Sequence, residues 1–175
     1  LAIRADAVMP VEAFLVLLAA PVLEERMFRG LLLAGLRDRF VGREADLEAI
    51  ERALADARLV TLVGPGGMGK TRLAIRFGAG KSFPGGCWFC DLTEAKSVDG
   101  IASAVGGALS VPLGRGDAIQ QLGHAIAVRG RCLLVLDNFE QIVRHAAETV
   151  GRWRQLAPEA TFLVTSRVRL QLDDE

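Results

Sequence analysis

Between the apolar run "LVTLV", Leu59 to Val63, and the segment that begins at Lys70, the chain reads G-P-G-G-M-G. Four glycines and a proline in six residues forfeit helix and strand propensity alike. The loop is therefore shaped by what its backbone can approach. The run before it is short, apolar and β-branched, as a buried parallel strand is, and residues 70–79 after it read as a helix. Strand, glycine loop and helix in direct succession restrict the chain to an α/β fold.

The loop fits G-x-x-x-x-G-K-[ST] with Gly64, Gly69, Lys70 and Thr71. Residue types at these positions suit a polyphosphate. The backbone through Gly64, Pro65, Gly66, Gly67, Met68 and Gly69 can come close to phosphate oxygens with few Cβ atoms in the way. The helix that starts at Lys70 adds unpaired N–H groups and a positive dipole end, with Arg72 in its first turn. Lys70 supplies a full charge to the outer phosphates, and the Thr71 hydroxyl is a ligand for Mg²⁺. Such a loop needs an acidic residue at the end of another buried strand to hold the cation. Asp137 ends the apolar run "CLLVLD" and meets that need.

Hydrolysis asks for a group facing the terminal phosphate, and the nearby candidates are Asn138 and Glu140. Glu140 reads equally as a first-turn carboxylate stabilising a helix N-terminus. Arg167, at the end of the run "TFLVTSR", is either a phosphate sensor or a surface arginine.

Around the loop the chain alternates helices and strands. Leu47, Ile50, Leu54 and Ala57 stripe a helix over 44–57. Strands are predicted at Cys87–Leu92, Cys132–Asp137 and Thr161–Arg167. Helices are expected around Ile101, Val105 and Leu109, then from a cap at Asp117, then along Val143, Ala146, Val150 and Trp153. This alternation implies a parallel sheet covered on both faces.

At 175 residues there is room for one domain with a real core. Lys+Arg and Asp+Glu balance at 21 each, so any anion site is local and direct nucleic-acid contact by these residues is not expected. Three cysteines and no secretory leader make a reduced, cytoplasmic setting the default. Cys87 and Cys90 form a CxxC inside a strand-like run. With no partner at ligand spacing, they read as buried structural cysteines.

Taken together, "FVGRE" at Phe40 to Glu44, the glycine loop, "WFCDL", "CLLVLDNFEQI" and "FLVTSR" resemble, in order and spacing, the STAND ATPases related to NB-ARC proteins. The resemblance covers residues 40–172. It implies a P-loop NTPase three-layer sandwich with sheet order 2-3-4-1, in which the sensor strand lies between the Walker A and Walker B strands. A fifth strand, a helical ARC-type domain and a winged helix would follow it.

The resemblance also implies Val41, Gly42 and Arg43 near adenine and ribose, Arg167 at the γ-phosphate, and ATP or ADP with Mg²⁺ as ligands. Where that family often closes Walker B with two acidic residues, this chain has Asp137 and Asn138, so turnover is expected to be slow or absent. The implied function is the nucleotide-binding core of a signalling ATPase, of the kind found in large bacterial transcription activators. The alternatives are a non-catalytic interaction module and a remnant of an intramembrane protease carried by residues 1–39.

Residues 1–39 form a separate, helical N-terminal segment in this reading, and residues 40–175 the P-loop core. The apolar run from Ala13 to Leu23 is eleven residues, short of the ~20 that span a bilayer. Its amphipathic pattern suits a protein partner or self-association. "APVLEERMFRGLLLAGL" resembles the EExxxR motif of CAAX-type and bacteriocin-processing intramembrane proteases, through Glu24, Glu25 and Arg29. That chemistry needs histidines from further membrane helices, whereas His124 and His145 fall inside the nucleotide-binding pattern.

Overall fold

The computed structural model describes residues 42–172. The segment 1–39, its EExxxR motif and Val41 lie outside the described residues. The elements run α1 (Glu44–Asp56), β1 (Leu59–Val63), α2 (Lys70–Gly80), β2 (Cys87–Asp91), α3 (Val98–Ala108), α4 (Ala118–Val128), β3 (Leu133–Asp137), α5 (Arg152–Leu156) and β4 (Thr161–Ser166). The four strands form one sheet in the order β1-β4-β3-β2, every neighbouring pair parallel. Read from the other edge, this is the expected 2-3-4-1.

Side-chain alternation sends each strand's residues to two apolar layers. On one face Leu133, Val135 and Leu163 pack with Ile50 of α1 and with Leu73, Ala74 and Phe77 of α2. On the other, Leu134, Leu136, Phe162 and Val164 meet Ile101, Val105, Leu122, Ile126 and Trp153 from α3, α4 and α5. Strand β3 is buried at all five positions, which is why "LLVL" is continuously apolar. The outcome is a three-layer α/β sandwich.

Three details depart from the sequence-based expectation. Strand β1 is less enclosed than its apolar composition suggests. Among the described residues it pairs only with β4, and its burial falls from Leu59 at 0% exposed to Val63 at 48%. The regular helix expected along Val143–Trp153 is broken instead into 3₁₀ turns at Phe139–Gln141 and Val143–His145, a π-helical turn at Ala147–Gly151, and short α5. Buried Thr149 accounts for part of this. Its hydroxyl donates to the His145 carbonyl at 2.7 Å, and Gly151 N–H bonds five residues back to Ala146 at 2.9 Å. Glu140 consequently sits on a single 3₁₀ turn, where no long helix supplies a dipole for it.

The cysteines are core residues. Cys90 and Cys132 are buried, and Cys87 is half-buried. Burial, with a smaller contribution from Cys132, pushes the Cys87 thiol up to about 12. Burial likewise raises Cys132 to about 11. Neither is a thiolate near neutral pH. Among the described residues no helix is long and apolar enough to cross a membrane.

Helices α4 and α5 pack closely at Gly123. A Cβ on Gly123 would lie 2.3 Å from Leu156 Cδ1 and 2.9 Å from its Cβ, the latter fixed to the backbone. A Cβ on Gly107, in α3, would meet nothing within 4 Å. One substitution therefore has opposite signs at the two sites. In chemical denaturation, Gly107→Ala is expected to stabilise the fold by about 0.5–1 kcal/mol through helix propensity. Gly123→Ala is expected to destabilise it by about 1–3 kcal/mol through overpacking.

Candidate nucleotide-binding site

The glycine loop leaves β1 at the carboxyl end of the sheet, where β3 and β4 also end. Gly67 and Gly69 adopt φ of 81° and 75°, a left-handed conformation that side chains with a Cβ strain to reach. Gly69 is the residue from which α2 springs, so α2's free N–H groups face the loop. Two further contacts hold the loop. Gly64 N–H donates to the Ser166 carbonyl of β4 at 3.3 Å, and Arg43 Nη1 donates to the Met68 carbonyl at 2.7 Å. The same guanidinium pairs through Nε with Asp46 at 2.7 Å. Lys70 Nζ curls back over the loop and donates to the carbonyls of Gly64 and Pro65, at 2.6 and 2.9 Å.

Thr71 and Asp137 are brought together across 66 residues of sequence. The Thr71 hydroxyl lies 2.8 Å from Asp137 Oδ1 and 3.0 Å from Oδ2. Asp137 is 3% exposed. A buried carboxylate survives only with donors around it, and here they come from three elements. Thr71 reaches it from α2, Thr165 Oγ1 from β4 at 2.5 Å, and Asn138 Nδ2 from the following residue at 3.1 Å.

Asn138 holds φ 63° and turns its side chain back, donating also to Thr93 Oγ1 at 2.8 Å. Its backbone N–H donates to Thr165 Oγ1 at 3.1 Å. Thr93 in turn donates to Asp91 Oδ1 at 2.5 Å, and Asp91 is the register partner of Asp137 on β2.

Burial pushes the Asp137 carboxyl above its ordinary range against the hydrogen bonds of Thr165 and Thr71, and the charges of Asp91 and Glu140 add to the rise. Asp91, mostly exposed, is held below its ordinary range chiefly by the Thr93 hydroxyl. Thr71 and Asp137 are thus hard oxygen donors in a place that the charges of Asp91 and Glu140 make more negative. That donor set suits Mg²⁺, and the glycine loop beside it suits phosphate.

The remaining sequence-predicted residues lie around this centre. Arg167 follows β4 and extends over the loop, where a Cβ on Gly66 would be 3.4 Å from its Nη2. Its Nε is 3.1 Å from Glu140 Oε1. Arg72 lies on the exposed side of the first turn of α2, while Pro65 and Met68 are exposed on the loop. Gly42 precedes α1 with φ 83°, in open space. Arg43 lines a cavity of about 310 Å³ with Asp46, Ile50, Met68, Lys70 and Leu73. A larger hollow of about 830 Å³ runs along the outer edge of β1, past Ala53, Thr61 and Arg169, and contains neither Lys70 nor Thr71. Its size does not make it the site, because the charged and hydroxyl groups converge elsewhere.

Sequence reasoning missed Thr93, Thr165 and Asp91. Thr165 left a legible sign, a hydroxyl beside Ser166 at the carboxyl end of a strand whose centre is apolar.

No protein-family model matches the chain. It is 40% identical over 139 residues to an uncharacterized protein of Mycobacterium tuberculosis, an alignment covering 78% of this chain and 35% of the relative. It is also 36% identical over 114 residues to a protein of the same organism named as a candidate HTH-type transcriptional regulator, covering 65% of this chain and 13% of that one. The chain therefore spans about a third of one relative's length and about an eighth of the other's. Among solved structures it is similar to a Walker-type ATPase of Pyrococcus abyssi, with a TM-score of 0.56 and 14% identity over 75% of this chain and 46% of the other. The chain has the P-loop ATPase fold.

The raised Asp137 carboxyl has a consequence for stability. A carboxyl whose pKa is higher in the fold than in the unfolded chain contributes stability fully below the unfolded value, and that contribution is lost as pH rises through the folded value. Asp137→Asn removes this loss. Without divalent cation, the variant's melting temperature relative to wild type is expected to rise as pH climbs above the ordinary carboxyl range, then level off. Thermal unfolding of both proteins across a pH series checks this.

Proposed function

We propose that residues 40–175 are the Mg²⁺-dependent ATP- or ADP-binding core of a STAND-type signalling ATPase from a bacterial transcriptional regulator, with slow or absent hydrolysis. The observation that carries this reading is the meeting of Thr71 and Asp137, at 2.8 and 3.0 Å, beneath a loop whose glycines leave room for phosphate. The similarity to a protein named as an HTH-type regulator supports the regulatory context. In this reading residues 1–39 are a separate helical segment available to a protein partner or a second copy, and the module works in the cytoplasm.

Each residue has a part. The backbone from Gly64 to Gly69 and the N-terminus of α2 cradle the phosphates. Lys70 leaves the carbonyls of Gly64 and Pro65 for the outer phosphates. Thr71 and Asp137 hold Mg²⁺, which when bound neutralises phosphate charge. The cavity beside Arg43 receives the base and ribose, and its volume of about 310 Å³ is at the small end for ligand pockets. Arg167, lying over Gly66, faces the terminal phosphate.

Slow turnover follows from the groups near Asp137. Asn138 is an amide, already donating to Asp137 and Thr93, and cannot take a proton from water. Glu140 is paired with Arg167 and presents no free carboxylate until that pair opens.

Calorimetric titration with Mg·ATP and Mg·ADP tests the reading. Binding tighter than millimolar is expected, weakened at least tenfold in Lys70→Ala through loss of a charge-assisted contact. Unchanged binding in that variant would rule the reading out.

A further inference from the structure

The ion pair between Arg167 and Glu140 carries an inference that rests on the nucleotide reading above. Arg167 occupies a position with two partners within reach. One is the Glu140 carboxylate, 3.1 Å from its Nε. The other is the space above Gly66, against which its Nη2 already lies. Lys70 Nζ is held at the same end of the loop by Gly64 and Pro65. Two cations therefore converge where the outermost phosphate of a triphosphate would end.

We infer that Glu140 and the terminal phosphate of a nucleoside triphosphate compete for Arg167, so that the ion pair is a latch opened by a triphosphate and left closed by a diphosphate.

The energetics favour exchange. Arg167 is 64% exposed and meets Glu140 through one contact, and pairs of this kind are weak. A terminal phosphate offers greater charge and several acceptor oxygens to a planar fork of five donors, which cannot deprotonate. A diphosphate lacks that terminal group and leaves Arg167 where it is.

Opening the latch also changes Glu140. Its side chain is 20% exposed, three residues beyond Asp137 and anchored by buried Phe139. Released from Arg167, it becomes a carboxylate without its countercharge beside the cation site, able to accept a proton from water. Its charge is already felt there, since it helps to raise the Asp137 carboxyl. Ligand identity is thereby coupled to a nearby carboxylate that could act as a base.

The test is calorimetric titration of the full chain with Mg·ADP and with the magnesium complex of a non-hydrolysable ATP analogue. Wild type, Glu140→Gln, Arg167→Gln and the double variant are compared, and Mg·ADP binding reports that each is folded. Removing the competitor in Glu140→Gln is expected to tighten the triphosphate analogue roughly two- to five-fold relative to Mg·ADP. Arg167→Gln is expected to lose the preference for triphosphate, and the double variant to show the same lost preference, because Glu140 bears on the choice between the two nucleotides through Arg167. If both nucleotides bind but Glu140→Gln leaves their affinity ratio unaltered, the latch is overturned and the nucleotide reading stands. If wild type binds neither, the nucleotide reading fails and the latch with it.

Discussion

The hydroxyl of Thr71 touching the carboxylate of Asp137 is the contact on which the rest of the structure depends. The two residues are 66 positions apart, Thr71 in the first turn of α2 and Asp137 at the end of β3. The strand that leads into α2 is not a neighbour of β3, since β4 lies between β1 and β3. Their meeting needs the glycine loop to turn tightly enough that α2 starts over the sheet's carboxyl end. It also needs β4 to fill the gap without blocking it. Thr165 satisfies the second condition. It bridges β4 to Asp137 at 2.5 Å and accepts the N–H of Asn138, so one small hydroxyl fastens the centre of the sheet to the turn that follows β3.

This arrangement sits uneasily in the folded chain, which is informative. Asp137 is almost fully buried, it shares its surroundings with Asp91 and Glu140, and its carboxyl is raised accordingly. A core assembled for stability alone would not place three carboxylates at one end of a sheet. Asn138 eases the strain by standing where a further acid would repel Asp137, and by linking the carboxylate to Thr93 on the β2 side. Residual electrostatic tension of this kind is relieved by a cation, and functional sites commonly trade stability for it.

Much of this was legible in the sequence because the relevant patterns are local. A continuous apolar run ending in Asp137, and a glycine loop between a strand and a helix, each specify their own geometry. The strand order came from the resemblance of five motifs, not from periodicity. What escaped depended on tertiary context. Nothing local says that β1 pairs only with β4 among the described residues, so its half-exposure was missed. The apolar stripe along Val143–Trp153 is real, but Thr149 back-bonds to His145 and opens the ladder into a π-turn. Thr93 and Asp91 are distant from the loop in sequence, and only the register of β2 against β3 brings them to Asp137. Arg43 likewise lies against the Met68 carbonyl through a contact that no spacing rule describes.

The central claim is that the oxygens of Thr71 and Asp137 form half of a divalent-cation site completed by a nucleotide. Electron paramagnetic resonance of Mn²⁺, used in place of Mg²⁺ and titrated with the chain and ADP, tests it most directly. One equivalent of protein with ADP should deplete the free-ion signal beyond what ADP does alone, and Asp137→Asn should restore it. A free-ion signal equally depleted by wild type and by Asp137→Asn would contradict the account.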